Sequence, residues 1–138
     1  LEPPVRIEFE CTNRADPEQG TIGDITVHAN AVPGSGAELF AQGYALTTGS
    51  YYNNCSTFYR NGRPLAKTEF SPVRDNVTHR VCVEIIGGHL RYWLDDTIVL
   101  EAWDPQPLTE WSGRSLGLRT WNTLMAVDRL RVYRGKLK

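Results

Sequence analysis

Apolar and polar residues alternate along most of this chain, most regularly from His79 to Trp103. Val81, Val83 and Ile85 interleave with Cys82 and Glu84, the period-two pattern of a strand with one buried face. Gly87-Gly88 supplies the positive-φ positions of a two-residue hairpin turn. Leu90, Tyr92 and Leu94 then alternate with Arg91 and Trp93. Asp95-Asp96-Thr97 interrupts the run, and Ile98 to Trp103 resumes it. The pattern predicts an antiparallel meander of three strands. One of the two faces on its middle strand, either Arg91 with Trp93 or Leu90 with Tyr92 and Leu94, lies outside the core.

The rest of the chain reads the same way. Glu2-Pro3-Pro4 is an extended entry, because proline disfavours helix in the residue before it. Val5, Ile7, Phe9 and Cys11 alternate with Arg6, Glu8 and Glu10, and Asn13 to Gly23 is dense in turn residues. In Asp24 to Asn30, Ile25, Val27 and Ala29 share one face while Asp24, Thr26, His28 and Asn30 share the other. Pro33 to Gly36 is a loop, and Glu38 to Thr48 predicts a short helical turn or loop followed by a strand. Gly49 to Cys55 is a polar and aromatic loop. Asn61-Gly62 joins Thr57–Arg60 to Leu65–Phe70 as a hairpin, and Ser71 to Asn76 connects onward. Asp104-Pro105-Gln106-Pro107 stops the meander, Trp111-Ser112-Gly113 turns the chain, and Ser115–Thr120 and Ala126–Arg134 close it. About ten short strands with almost no helix predict an all-β antiparallel sandwich or barrel. The length of 138 residues fits a single domain spanning 1–138.

Composition narrows the partners. Fifteen basic residues stand against sixteen acidic ones without a basic stripe, so no nucleic-acid surface is expected. No apolar run approaches the ~20 residues of a membrane span, so no membrane partner is expected either. The opening LEPPVRIEFE has neither the charged nor the apolar region of a signal peptide, which by itself decides nothing about export. Three cysteines without a C-x-x-C spacing exclude a zinc ribbon or thioredoxin motif and allow at most one disulfide within the chain. Twelve glycines, eight prolines and one methionine suit a turn-rich β protein. G-x-S-x-G, H-E-x-x-H and P-loop motifs are absent. No cofactor is expected. Asp95, Asp96, Asp104 and Asp128 offer oxygen ligands for a structural calcium but lack EF-hand spacing, and Asp95-Asp96 is more simply a turn.

The order of pieces carries a resemblance. His79-Arg80-Val81, Gly87-Gly88, Leu94-Asp95-Asp96 and Trp103-Asp104-Pro105 are followed by Gly117-Leu118-Arg119-Thr120-Trp121 and Val127-Asp128-Arg129-Leu130-Arg131-Val132-Tyr133. This resembles the concanavalin A-like lectin/glucanase superfamily, and within it the bacterial jelly-roll domains found in or beside polysaccharide-degrading enzymes. The match is good from His79 to Tyr133 and loose before it. The E-x-D-x-x-E strand of the related retaining glucanases is absent. The resemblance therefore implies a jelly-roll sandwich, a carbohydrate context, a secreted or periplasmic location and a place in a larger multidomain chain.

Sugars present apolar C–H faces that stack on aromatic rings and hydroxyls that need hydrogen-bonding groups, so a mixed lining is the expected signature of their sites. Tyr51, Tyr52 and Asn53 combine rings with an amide in one loop. Arg119 and Trp121, followed by Asn122, repeat the combination, and His28 and Asn30 add polar groups on a strand. These seven residues, His28, Asn30, Tyr51, Tyr52, Asn53, Arg119 and Trp121, are the candidate contacts of a carbohydrate-binding module on a concave sheet face. Two other readings stay open. One is a hydrolase or lyase using Glu8, Glu10 or His28 as acid or base, since same-face carboxylates two apart stand about 6.5–7 Å from each other at the backbone. The other is a structural or adhesion domain with a protein ligand. For Glu8 and Glu10 the plainer expectation is a solvated face paired with Arg6 or with an arginine on a neighbouring strand.

Overall fold

The computed structural model describes residues 2–18, 20, 22–32 and 42–135. Ten strands form among them: β1 (Val5–Ala15), β2 (Ile25–Ala31), β3 (Tyr44–Gly49), β4 (Cys55–Arg60), β5 (Arg63–Thr68), β6 (Thr78–Ile86), β7 (His89–Leu94), β8 (Thr97–Trp103), β9 (Ser115–Arg119) and β10 (Thr123–Arg134). They make two five-stranded antiparallel sheets, ordered β10-β1-β6-β7-β8 and β5-β4-β3-β2-β9. The fold is a jelly-roll β-sandwich.

Alternation decides which side chains meet between the sheets. Val5, Ile7, Phe9 and Cys11 of β1, Val81, Val83 and Ile85 of β6, and Leu90, Tyr92 and Leu94 of β7 point inward. They meet Ile25, Val27 and Ala29 of β2, Tyr44 and Leu46 of β3, and Phe58 of β4. Burying one such large apolar side chain contributes about 1.5–3 kcal/mol. On β7 the inward face is that of Leu90, Tyr92 and Leu94, so Arg91 and Trp93 face outward. Of the four tryptophans, Trp111 is buried, Trp93 half-buried, and Trp103 and Trp121 exposed.

The turns follow from residues that tolerate left-handed backbone. Asn61 (φ 47°) and Gly62 (φ 78°) join β4 to β5, Gly87 (φ 58°) opens the β6–β7 turn, and Asp95 (φ 50°) and Asp96 (φ 64°) join β7 to β8. The Asp95 carboxylate also receives the Arg80 N–H at 2.8 Å and lies 2.6 Å from Nδ1 of the fully buried His79. The Arg74 N–H donates to His79 Nε2 at 3.0 Å, which fixes the connection before β6.

Two sequence expectations change. β1 runs on to Ala15, because Asn13 is buried and its amide donates to the carbonyls of Gly23 (3.0 Å) and Asp24 (3.3 Å). The polar row Asp24, Thr26, His28 and Asn30 faces away from the core as expected, yet all four residues are buried. The cysteines are free, with Cys11 facing the core and Cys82 on the opposite face of its sheet. Burial pushes the Cys11 thiol up to about 12 and the Cys82 thiol up to about 11. The expected Pro33–Gly36 loop, and the part of Glu38–Thr48 before Gln42, lie outside the described residues.

Candidate functional site

The outer face of the second sheet is built row by row. Register places Thr57, Thr47, Thr26 and Arg119 side by side across β4, β3, β2 and β9. The next row is Tyr59, Ala45, His28 and Gly117. Small side chains at the sheet centre, with larger ones at the flanks and in the turns at one end, leave a cavity of about 300 Å³. Tyr51, Tyr52, Tyr59, Arg119, Trp121 and Asn122 supply its large side chains, while Asp24, Thr47 and Ser50 lie among the smaller ones.

Asp24 anchors the site. Its Oδ1 accepts the backbone N–H of Trp121 at 3.0 Å, and its Oδ2 accepts the Thr26 hydroxyl and lies 3.3 Å from Thr47 Oγ1. The Thr26 and Thr47 hydroxyls are 2.8 Å apart, and Ser50 Oγ continues the chain at 3.1 Å. One buried carboxylate thus ties β2 and β3 to the turn that carries Trp121. The approach is so close that Gly23 has no room for a side chain: a Cβ there would lie 1.9 Å from the Trp121 carbonyl oxygen. The Gly23 N–H donates to the Thr123 hydroxyl across the same seam.

The tyrosines are displayed by an unusual turn. Gly49, Tyr51, Tyr52 and Asn53 all have left-handed φ, at 87°, 49°, 60° and 63°. Bulky side chains in that region cost about 1–2 kcal/mol each, so the turn needs external support. Asn53 gives it: its Nδ2 donates to the Val73 carbonyl at 2.7 Å and its Oδ1 accepts the Ser71 hydroxyl. Asn54 Nδ2 donates back to the Tyr51 carbonyl at 2.6 Å. The result is two rings held out into solvent, Tyr51 at 69% and Tyr52 at 77% exposure. Trp121 stands at 62%, with the Arg119 guanidinium 5.9 Å from its ring centroid. Burial raises the Tyr59 phenol above its ordinary value, so it is a hydrogen-bonding hydroxyl at neutral pH.

Four of the seven candidate contacts, Tyr51, Tyr52, Arg119 and Trp121, line this one cavity. Three do not. Asn53 serves as the brace behind the tyrosines. Asn30 lies farther along β2, where its Nδ2 donates to the Glu110 carbonyl at 2.6 Å. His28 shares the outer face but is fully buried; burial, with the Arg119 charge acting in the same direction, lowers its pKa to about 4. It is a neutral imidazole at physiological pH, shielded from solvent. Sequence reasoning missed Asp24 as the anchor and Tyr59 as a wall, although Asp24 begins the polar row. Glu8 and Glu10 belong to the first sheet, Glu8 paired with Arg6 and Glu10 3.4 Å from Arg129. The four aspartates considered for calcium have separate engagements. Asp95 and Asp96 hold His79 and Arg80, Asp104 accepts the Tyr44 hydroxyl at 2.8 Å, and Asp128 caps the Arg129 N–H at 2.7 Å.

No protein-family model matches the chain, and no curated protein is detectably similar to it in sequence. Solved structures are similar in fold. A carbohydrate-binding module, CBM66 from Bacillus subtilis, is 16% identical with a TM-score of 0.62, over 93% of this chain and 73% of its own. Sheep galectin-11, solved in complex with glycerol, is 9% identical with a TM-score of 0.64, over 96% of this chain and 92% of its own. Toad ovary galectin, solved in complex with thio-digalactose, is 9% identical with a TM-score of 0.59, over 96% of this chain and 92% of its own. At these identities the likeness is one of fold.

Proposed function

We propose that this domain binds carbohydrate, as part of a poly- or oligosaccharide, in the cavity on the outer face of its second sheet. One observation carries the reading: three exposed rings, Tyr51, Tyr52 and Trp121, are held by a braced turn and a buried carboxylate around Arg119. Exposed aromatics fixed at a cavity rim supply flat apolar surface at little entropic cost, and Arg119, Asn122 and the Tyr59 hydroxyl supply hydrogen-bonding groups. Among the solved structures of similar fold, one is a carbohydrate-binding module and others are galectins, one of them solved with thio-digalactose. The same reading takes the domain as a secreted or periplasmic recognition module within a larger chain.

Glycan-array screening followed by calorimetric titration tests this. Trp121→Ala should weaken binding at least about tenfold, roughly 1.4 kcal/mol, with the far-ultraviolet circular dichroism unchanged. A folded Trp121→Ala variant that binds as well as the parent would refute the assignment. So would turnover of a polysaccharide without retention on it.

A further inference from the structure

The outer face of the first sheet carries a second concavity. Register sets Arg131 of β10, Glu8 of β1, Cys82 of β6 and Trp93 of β7 side by side. Cys82 is the shortest of the four, and its same-face neighbours along β6, Arg80 and Glu84, are long as well. A basin of about 600 Å³ therefore opens above its side chain. That is within the ~300–1,000 Å³ range of small-ligand sites. Half-buried Trp93 forms an apolar wall, its ring held by the Arg91 guanidinium 4.9 Å from the centroid.

The charges around the basin are nearly all matched, with one exception. Arg6 holds Glu8 and also Glu84 (2.7 Å), Arg80 holds Asp96, and Arg129 lies 3.4 Å from Glu10. Among the described residues Arg131 has no carboxylate partner, because Glu8, opposite it, is engaged by Arg6. A bulge brings a second guanidinium to the same rim. Asp128 opposes Glu10 and Arg131 opposes Glu8, so Arg129 and Leu130 stand against Phe9 alone. Strict alternation after outward-facing Asp128 would turn Arg129 inward. Left-handed backbone at Arg129 (φ 54°), stabilised by Asp128 Oδ1, delivers it to the basin instead. Strain kept beside a cavity to aim a cation is an arrangement that a ligand explains and surface solubility does not.

We propose that this basin is a second binding site, for an acidic sugar unit bearing a carboxylate or a sulfate. The oxyanion rests on Arg131 and Arg129, which offer charge-assisted and bidentate donors. The ring lies along Trp93, and Glu8 and Glu10 accept hydroxyls. The site is independent of the cavity on the second sheet.

The test is calorimetric titration at low salt with glucuronic acid, glucose 6-sulfate, glucose and inorganic sulfate. At least one acidic sugar should bind at least about tenfold more tightly than glucose and than free sulfate, and the tighter of the two identifies the oxyanion. Arg131→Gln should weaken that binding about tenfold or more. Cys82→Leu, which fills the basin without changing a charge, should abolish it, with circular dichroism showing both variants folded. Trp121→Ala should leave it intact. Failure of both acidic sugars to bind, inorganic sulfate binding as tightly as they do, or loss in Trp121→Ala with Arg131→Gln unaffected would each overturn the proposal.

Discussion

Replacing Asp24 by alanine tests whether the ring cavity is held from beneath. The substitution removes the acceptor of the Trp121 N–H (3.0 Å) and of the buried Thr26 hydroxyl. A hydrogen bond to a charged acceptor contributes about 1.5–3 kcal/mol, which sets an upper bound near 6 kcal/mol for the two. Two effects lower it. Trp121 is exposed, so water can serve its N–H, and the Thr26 and Thr47 hydroxyls still have each other at 2.8 Å. A loss of about 3 kcal/mol is expected. For a domain of this size that lowers the melting temperature by roughly 10 °C, read by circular dichroism at neutral pH. Asp24→Asn keeps one carbonyl acceptor and should lose about half as much. Sugar affinity should fall in the same order, because the Trp121 turn is no longer tied to β2. An alanine variant melting within about 2 °C of the parent would show that the carboxylate supports nothing. Unchanged affinity in a destabilised variant would separate stability from the site.

His28 gives a pH signature. Its pKa is about 4 in the folded chain against an ordinary 6.5, so the unfolded chain takes up the proton first and stability falls as pH drops from 6.5 towards 4. The full effect, reached below pH 4, is about 3 kcal/mol. His28→Gln should remove that component from a denaturant-midpoint series across pH, and an identical slope in both proteins would refute it. Asn53→Ala releases the Val73 carbonyl and the Ser71 hydroxyl, and should cost about 1–2 kcal/mol of stability while weakening sugar binding, measured by unfolding and titration of the same sample. Gly23→Ala forces a Cβ against the Trp121 carbonyl and should destabilise the fold more than Gly87→Ala, whose Cβ meets nothing within 4 Å; equal melting temperatures would contradict this. Iodoacetamide at neutral pH should leave fully buried Cys11 unlabelled in the native protein and react only slowly at half-buried Cys82, as read by peptide mass spectrometry.

Much of the scaffold was legible in the sequence because its signals are local. Period-two alternation placed the inward faces of β1, β2, β6 and β7, and Asn61-Gly62, Gly87-Gly88 and Asp95-Asp96 marked three hairpin turns at their observed places. The site was legible in part. Tyr51, Tyr52, Arg119 and Trp121 share one cavity, but what joins them is register between β2 and β9 and the end of the sheet where their turns meet, and neither is encoded in a short window. The burial of His28 and Asn30 was hidden for a related reason. Alternation says which face a residue takes; it does not say whether neighbouring strands and turns cover that face. The bracing role of Asn53 is not legible in the sequence, because an amide that could meet a ligand and one that ties a loop to Val73 are the same residue type.

The two cavities differ in how their concavity arises, and that difference bears on what each can recognise. On the second sheet the floor is Thr47 with Asp24 and Ser50 at the strand ends, and the walls are Tyr51, Tyr52 and Trp121 from the turns together with Tyr59 of β4 and Arg119 of β9. Such walls stand high and are mostly aromatic, which suits a ligand with apolar faces. On the first sheet the floor and nearly all of the rim come from the strands themselves, so depth is limited by side-chain length and the rim is Trp93 among long charged residues. Those charges largely neutralise one another, and selectivity then rests on the one guanidinium left unmatched. The rings of the turn-walled cavity would make its binding nearly insensitive to ionic strength. The strand-built basin would weaken as salt rises, since its attraction acts through solvent-exposed arginines and is screened within about 8–10 Å. Ionic strength therefore separates the two surfaces on a single protein, without a mutation.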